Sequence, residues 1–291
     1  MVSKTAELDG PVHYLDFGGA GAPLVCVHGL GGAALNWMAV GPGLARSHRV
    51  LAPDLRGFGR TPLLGRSADI DANQRLLDRF VREVAGAPAI LVGNSMGGLL
   101  SVLQAARQPE TVQALVLANP ALPWRLRRRP DLRVGAIFGA LLLPGLAEWR
   151  LRRHLRRWGP DRLAASTLRL VAADPFSVPP GVREAHLQLA RERATSAEGE
   201  RALIQAARGL ARLLMRRNLA ATYESVRAPV LVLHGERDRL VPVEFSLQIG
   251  RRYGWQVEVL PGVGHVPQME VPDLFVDVTL RWLHSLMEAA V

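Results

Sequence analysis

The ten residues AILVGNSMGG, at positions 89 to 98, decide the class of fold. Four aliphatic residues form a strand-like run, a serine follows between two glycines, and the helical pattern LLSVLQAARQ comes next. Glycine at positions 93 and 97 lets a strand and a helix approach closely, because a side chain there would clash. The stretch therefore predicts a sharp strand-to-helix turn that exposes Ser95, in the G-x-S-x-G pattern of a nucleophile elbow.

Short aliphatic runs recur on both sides of this turn and alternate with helical patterns. The runs are PLVCVHGL, RVLAPDLRG and QALVLANP before residue 121, and APVLVLHGE and WQVEVLPGVGH after residue 218. Continuous apolar runs separated by glycine, proline and amphipathic helices are typical of a parallel sheet that is buried on both faces. The fold class predicted is α/β.

The middle of the chain has a different pattern. Residues 121 to 218 contain no strand-like run and are expected to form several helices. We therefore divide the chain into a first part of the α/β core at 1–120, an insertion at 121–218 and a second part of the core at 219–291. With 291 residues, of which 48% are hydrophobic, the chain can bury a large core.

The excess positive charge lies in this insertion. The chain has a net charge of +10, whereas residues 121 to 218 hold 20 arginines and 8 acidic residues, and the remainder is slightly acidic. An uncharged apolar stretch at 134–147 precedes the segment WRLRRHLRRW at 149–158, which places Leu151, Leu155 and Trp158 on one helical face and arginines opposite. A surface of this kind is expected to bind anionic lipid, because the apolar residues can insert shallowly while the arginines pair with phosphates. The alternative is that these apolar residues pack on the core, and no recognition motif supports a nucleic-acid partner.

The cysteine content and the lengths of the apolar segments indicate in which cellular compartment the protein is found. The single cysteine, Cys26, excludes an intramolecular disulfide and fits a reducing compartment, where it is expected to be a small core residue. The start MVSKTAELDG has no apolar segment of the kind that a secretory signal needs. No apolar stretch reaches the roughly 20 residues that span a bilayer. We expect a cytoplasmic protein.

A reactive serine needs a histidine that takes its proton and a carboxylate that orients that histidine. His265 ends the segment VEVLPGVGH, and Asp238 follows the strand-like run APVLVLHGE, so both are expected at the carboxyl edge of the sheet beside Ser95. The chain order serine, acid, histidine favours them. Glu236 is the nearest rival for the acid, and the other common position for it carries the uncharged Asn119.

The other histidines are expected to have supporting roles. His28 and His234 both precede glycine at the ends of strands and are interpreted as supporting loops. His13 is expected in an edge strand, and the remaining histidines in a loop, the insertion or the last helix.

Acyl transfer also needs N–H groups that stabilise an oxyanion. The backbone N–H of Met96 and that of Leu30, in the glycine-rich loop VHGLGG, are the candidates, although a plain glycine turn would leave the same pattern. Substrate contacts are predicted at four further positions close to these in sequence: Gly29, Trp37, Asn94 and Val266.

Five motifs together resemble the α/β-hydrolase fold superfamily. They are HGLGG at 28–32, DLRGFGRT at 54–61, GNSMGG at 93–98, HGERDRLVP at 234–242 and GVGHVPQME at 262–270. The resemblance implies a mostly parallel sheet, a helical cap over the active site at 121–218, and loop-bracing roles for Asp54 and Arg56.

Within that superfamily, Ser95 argues against haloalkane dehalogenases and epoxide hydrolases, which carry aspartate at the elbow. GNSMGG and the nearby Asn36 and Trp37 resemble hydrolases that split carbon-carbon bonds in aromatic ring-cleavage products. Those enzymes usually have Pro-Gly in the oxyanion loop and an aromatic residue after the histidine, where this chain has HGLGG and Val266. Cofactor-free perhydrolases usually have an aromatic residue at the position of Asn94.

The prediction is therefore an esterase or lipase that cleaves carboxylic esters, with hydrophobic acyl groups, and that needs no metal or cofactor. A carbon-carbon bond hydrolase, a perhydrolase and a non-catalytic binding protein of the same fold remain as alternatives.

Overall fold

The computed structural model describes residues 1–86, 88–122, 139, 143, 145–194 and 196–288. Most of the uncharged stretch at 134–147 lies outside these residues. So do the side chains of Leu151 and Leu155, on which the predicted apolar face of the 149–158 helix depends.

One eight-stranded sheet organises the chain, in the spatial order β1-β2-β4-β3-β5-β6-β7-β8. The strands are β1 (Val2–Glu7), β2 (Pro11–Gly18), β3 (Pro23–Val27), β4 (Arg49–Pro53), β5 (Ala89–Asn94), β6 (Val112–Ala118), β7 (Val230–Gly235) and β8 (Gln256–Leu260). β2 pairs antiparallel with β1 and with β4, and the neighbouring pairs from β4 to β8 are parallel.

The predicted α/β class and parallel sheet are confirmed, since each of the five quoted runs and AILVGN forms a strand. One detail was wrong. His13 lies in β2, which has strands on both sides, and the outermost strand is β1.

Ten α-helices occur in the described residues. They are α1 (Gly41–Leu44), α2 (Ile70–Phe80), α3 (Met96–Arg107), α4 (Leu146–Val171), α5 (Pro180–Arg193), α6 (Ala197–Leu214), α7 (Leu219–Glu224), α8 (Val243–Tyr253), α9 (Pro267–Glu270) and α10 (Pro272–Glu288). A single π-helical turn, Val81–Ala85, continues α2, and 3-10 turns form at Ala34–Trp37 and Pro109–Thr111.

Both faces of the sheet are buried, which explains the continuous apolar runs. Along β3, Val25 and Val27 belong to the hydrophobic cluster on one face, whereas Leu24 and Cys26 belong to the cluster on the other. This alternation follows from the two-residue period of a strand. Cys26 is fully buried, as a core residue should be.

Most described residues of 121–218, called the inserted segment below, lie in the helices α4, α5 and α6 between β6 and β7. α4 is interrupted at Gly159, whose φ is 73°, directly before Pro160. The guanidinium of Arg193, at the end of α5, donates hydrogen bonds to the carbonyls of Gly57 and Gly59. The inserted segment is thus fastened to the loop that follows β4.

None of the helices in the described ranges combines the length and the apolar character that a membrane span requires.

Candidate active site

Ser95 occupies the bend between β5 and α3. Its φ is 54° and its ψ is −115°, a conformation that costs a residue with a side chain about 1 to 3 kcal/mol. A Cβ on Gly97 would overlap the carbonyl oxygen of Val27, and one on Gly93 would lie 2.5 Å from the carbonyl oxygen of Gly97. The predicted strand-to-helix turn is present, and its glycines are required by close backbone contact.

The N–H of Met96 and the loop after β3 lie next to this serine. Met96 is the first residue of α3, so its N–H has no acceptor within the helix and adds to the positive end of the helix dipole. On the other side, the loop after β3 contacts the elbow, because a Cβ on Gly29 would lie 3.1 Å from Cβ of Ser95. Leu30 follows Gly29 directly in this loop, and its role as an oxyanion donor stays a prediction.

His265 and Asp238 form a hydrogen-bonded pair. Nδ1 of His265 lies 2.7 Å from Oδ2 of Asp238. The other carboxylate oxygen, Oδ1, accepts the backbone N–H groups of Leu240 at 2.7 Å and Val241 at 3.0 Å. The Asp238 side chain is fully buried, and His265 is 4% exposed. The two residues that the sequence assigned as acid and base are in direct contact.

The Asp238 carboxyl is strongly biased toward its ionised form. Burial by itself would raise its pKa, but His265 and His234 hold the pKa well below its usual range. Nε2 of His234 lies 3.4 Å from Oδ2 of Asp238 and also contacts the carbonyl of Val241 at 2.8 Å. The buried charge is therefore compensated from two sides.

A third side chain contacts the same carboxylate. Asn119, directly after β6, has a φ of 46° and no exposed surface. Its Nδ2 donates to Oδ2 of Asp238 at 2.6 Å and to the carbonyl of Gly264 at 3.2 Å. Its Oδ1 accepts the N–H of Gly235 at 3.3 Å. Asn119 thus joins the ends of three segments at the carboxyl edge of the sheet.

The elbow and the His265 loop are bonded to each other. Asn94, the residue before Ser95, donates from Nδ2 to the carbonyls of Ala118 and His265, both at 3.0 Å. No hydrogen bond joins the Ser95 hydroxyl to the His265 ring in this structure, in which both residues are described. Hydrogen bonds between catalytic groups are often long without substrate and tighten on binding.

Glu270 holds the same loop from the other side. Its carboxylate accepts the N–H groups of the two residues that flank His265, Gly264 at 3.0 Å and Val266 at 3.4 Å. It also accepts the N–H of Ala173, in the inserted segment, at 2.7 Å. Burial raises the pKa of Glu270, although these N–H groups oppose the shift.

The four predicted substrate contacts have different surroundings. Gly29 lies against Ser95, as described above. Val266 is buried in a small cluster with Met269 and residues of the inserted segment. Trp37 is fully buried and packs against Phe275, with 6.3 Å between ring centroids. This placement gives Trp37 a packing role and leaves its predicted contact with substrate without support.

Asn94 is likewise occupied within the protein. Both hydrogens of its amide point to backbone carbonyls, and its side chain is buried. Its role in the structure is to fasten the turn at Ser95 to the His265 loop rather than to face a ligand.

The residues that were expected to support loops do so. Asp54 accepts hydrogen bonds from the His13 ring at 2.6 Å and from two backbone N–H groups. The His28 ring accepts a backbone N–H at 3.0 Å. Glu236, the rival candidate for the acid, is exposed and accepts the N–H of Gly262 at 3.0 Å.

Two residues of the site were not predicted, Asn119 and Glu270. The sequence shows Asn119 only as an uncharged residue where an acid could stand, and its position directly after a buried strand is the signal for a role in the site. Glu270 stands in the motif GVGHVPQME, five residues after His265, and a glutamate so close to a buried loop was the available signal.

Across the described ranges, no group of three or more histidine, cysteine, aspartate or glutamate side chains is arranged to hold a metal ion.

The family model of the alpha/beta hydrolase family matches residues 24–278. The chain therefore belongs to this family, as both the sheet order and the serine at the strand-to-helix bend indicate.

Several characterised proteins are similar to it over most of their length. A 2-hydroxymuconate semialdehyde hydrolase from Pseudomonas sp. (strain CF600) is 30% identical, over 94% of this chain and 90% of the relative. Lipase 1 from Psychrobacter immobilis is 27% identical, over 93% and 79%. Among solved structures, a thermophilic esterase from Thermogutta terrifontis has a TM-score of 0.74 at 26% identity and covers 98% of both chains.

Proposed function

We propose that this hydrolase cleaves carboxylic esters through Ser95, His265 and Asp238. The arrangement at the bend after β5 carries the proposal. Ser95 is held at a positive φ at the start of α3, and its neighbour Asn94 is hydrogen-bonded to the loop that presents the His265–Asp238 pair. A strained, half-buried serine beside an oriented imidazole is what nucleophilic acyl transfer requires.

The first half-reaction follows from this geometry. Because Nδ1 of His265 donates to the ionised Asp238, Nε2 is the basic nitrogen and removes the proton of the Ser95 hydroxyl. The serine oxygen attacks the ester carbonyl, and the N–H groups of Met96 and Leu30 stabilise the oxyanion. One such donor is worth about 3 kcal/mol in other serine enzymes.

Collapse of the tetrahedral intermediate breaks the bond to the alcohol, which takes the proton held by His265. A water molecule then loses a proton to His265 and attacks the acyl-enzyme. His265 returns this proton to the serine oxygen as the acid leaves, which restores the Ser95 hydroxyl and the neutral imidazole. Asp238 remains ionised throughout, because its pKa lies well below the usual range.

A second candidate is hydrolysis of carbon-carbon bonds, which the similarity to the semialdehyde hydrolase favours. The same serine and histidine would serve in either reaction, so the substrates must distinguish them. A panel of p-nitrophenyl esters of increasing acyl length, assayed beside a ring-cleavage product, gives the ratio of kcat/KM values for the two reactions. A preference for esters supports the first candidate.

The test of the site itself is Ser95→Ala, compared with Ser101→Ala. Ser101 lies on α3 as well, is fully buried, and donates to the carbonyl of Gly97 at 2.8 Å, so its loss perturbs the helix without touching the reacting atoms. We expect Ser95→Ala to lower kcat by about a thousand-fold or more and Ser101→Ala to change it little.

Labelling with a fluorophosphonate probe separates an enzyme from a non-catalytic member of the fold. Wild type should be labelled and Ser95→Ala should not. Substantial ester turnover by Ser95→Ala would contradict the proposed nucleophile, and an unlabelled wild type would favour the binding-protein alternative.

We further propose that the inserted segment contacts anionic phospholipid surfaces. Trp149 is 52% exposed and Phe176 is 81% exposed, and both belong to this segment. The guanidinium carbons of Arg153 and Arg183 lie 5.4 and 5.7 Å from their respective ring centroids. Exposed aromatic rings accompanied by arginines fit a surface of apolar chains and phosphates, and the net charge of the segment is complementary to it.

Sedimentation with vesicles tests this contact. The protein should sediment with vesicles that contain phosphatidylglycerol, less so with pure phosphatidylcholine, and less at high salt. The double variant Trp149→Ala/Phe176→Ala should bind more weakly, whereas Leu274→Ala/Met287→Ala, which removes exposed apolar residues of α10, should not. Absence of binding at low salt would refute the proposal.

A further inference from the structure

We infer that Asn119 is a positioning residue that fixes the Asp238 carboxylate against His265. The effect on turnover rests on the function proposed above, whereas the effect on the hydrogen bond does not.

The neighbours of Asn119 determine the orientation of its amide. Nδ2 faces two groups that can only accept, the ionised Oδ2 of Asp238 at 2.6 Å and the carbonyl of Gly264 at 3.2 Å. Oδ1 faces the N–H of Gly235 at 3.3 Å. The opposite orientation would place oxygen against oxygen and nitrogen against N–H, so only one orientation satisfies all three contacts.

The contact acts on the oxygen that bonds the base. Oδ1 of Asp238 is held by two backbone N–H groups, whereas the principal donors to Oδ2 are Nδ1 of His265 and Nδ2 of Asn119. Without Asn119, Oδ2 would lose a short hydrogen bond in a site from which water is excluded. Hydrogen bonds to buried charges are among the stronger ones, so the carboxylate would be less firmly oriented.

Asn119 also contacts the segment that carries the base. Its bond to the carbonyl of Gly264 reaches the residue directly before His265, and its backbone N–H donates to Leu233, at the end of β7, at 2.9 Å. One residue therefore sets the distance between the strand that leads to the acid and the loop that holds the histidine.

Asn119 can position the Asp238 carboxylate only because its own side chain is uncharged. An aspartate at position 119 would place a second carboxylate oxygen about 2.6 Å from Oδ2 of Asp238, where two negative charges cannot both be accommodated without a shared proton. The other charged or titratable groups close to the pair are His234, 3.4 Å from the same Oδ2, and Glu270, which bonds the backbone on both sides of His265.

Two substitutions test the inference. Asn119→Gly removes the amide and suits the φ of 46°, which glycine adopts without strain, so the backbone role is preserved. Asn119→Asp keeps the shape and replaces the donor with an acceptor. We expect both variants to lower kcat roughly ten-fold or more with KM changed less than about two-fold, since a hydrogen bond to a charged group is lost.

The pH profile separates the two variants. The pH profile of kcat/KM should change shape in Asn119→Asp, because the pair of carboxylates then gains and loses its shared proton as a coupled unit, and should keep the wild-type shape in Asn119→Gly. Wild-type kcat in Asn119→Gly would overturn the inference, since it would show that only the left-handed turn is needed.

A readout that does not depend on turnover separates this inference from the proposed function. In proton NMR, the His265 Nδ1 proton shared with Asp238 should give a low-field signal in wild type that is shifted or broadened in both variants. If wild type hydrolyses no ester but the signal changes as expected, the proposed function fails and the positioning role stands. An unchanged signal in both variants overturns the positioning role, whatever the activity.

Discussion

The backbone N–H of His265 donates a hydrogen bond to the carbonyl of Val171, with 2.7 Å between nitrogen and oxygen. Val171 ends α4, so the loop that presents the histidine is bonded directly to the inserted segment. Approach of the two backbones is close, because a Cβ on Gly264 would lie 2.7 Å from the same carbonyl oxygen. The carboxylate of Glu270 joins these two parts a second time through the N–H of Ala173.

Glu270→Gln should impair activity more than its conservative shape suggests. Both carboxylate oxygens accept backbone N–H groups, whereas glutamine offers one oxygen and turns an NH₂ group toward the remaining donors. We expect kcat to fall by about ten-fold and the thermal midpoint to decrease, because buried donors lose their partners. Glu236→Gln, at an exposed position, is the control. Equal kcat in Glu270→Gln and wild type would show that the hydrogen bonds of the Glu270 carboxylate do not position His265.

Lowering the pH should reduce the unfolding free energy of wild type more than that of Asp238→Asn. The folded-state pKa of Asp238 is lowered, so its contribution to stability is present above the ordinary value of 3.8 and is lost as the pH falls below that value. Urea unfolding at pH 7 and at successively lower pH measures the unfolding free energies of wild type and variant. The difference between them should become smaller as the pH falls. A difference that stays constant down to pH values of about 3 would contradict the strong bias toward the ionised form.

Gly97→Ala should destabilise the protein, whereas Gly181→Ala should not. A methyl group on Gly97 would overlap the carbonyl oxygen of Val27 and lie 2.6 Å from that of His28, so the central strand and helix would have to separate. The expected loss is about 1 to 3 kcal/mol of unfolding free energy, with reduced labelling of Ser95. Beyond the backbone of its own helix, no atom of the described ranges lies within 4 Å of a Cβ on Gly181, in α5, and alanine there should be neutral or stabilising.

Arg193→Ala should weaken the attachment of the inserted segment to the loop after β4, and Arg191→Ala should not. The guanidinium of Arg193 bonds the carbonyls of Gly57 and Gly59, and burial lowers its pKa, whereas Arg191 forms an exposed ion pair with Asp161. We expect faster proteolysis within the segment for Arg193→Ala, since two carbonyls lose their partner. The exposed pair between Arg191 and Asp161 is screened by solvent and contributes little to stability. Equal proteolysis rates in the two variants would contradict this assignment.

The parts of the site that follow strands could be predicted from the sequence. Ser95, Asp238 and His265 each come after an aliphatic run, and parallel strands bring such positions to one edge of the sheet. The contacts of Asn119 and Glu270 depend on how three loops fold relative to one another, which no local pattern reports. Trp37 is a residue that the sequence suggested for the site. It lies close to a motif in sequence, but its side chain is buried in the core.

The role of the inserted segment, the cytoplasmic location and the choice of substrate stay predictions of the sequence and of the resemblance. The helices of that segment pack beside the site, through the bond from His265 to Val171 and the cluster around Val266.

The bond between Val171 and His265 has a consequence for how this hydrolase can diversify. A substitution in the inserted helices that shifts the end of α4 would also shift His265, because a backbone hydrogen bond joins the two directly. If the inserted segment contacts the substrate, as the resemblance to the superfamily implies, substrate affinity and the rate of turnover are coupled. Libraries that vary this segment to change selectivity should yield variants in which KM and kcat change together, and compensating changes are to be sought in the loop at 262–270.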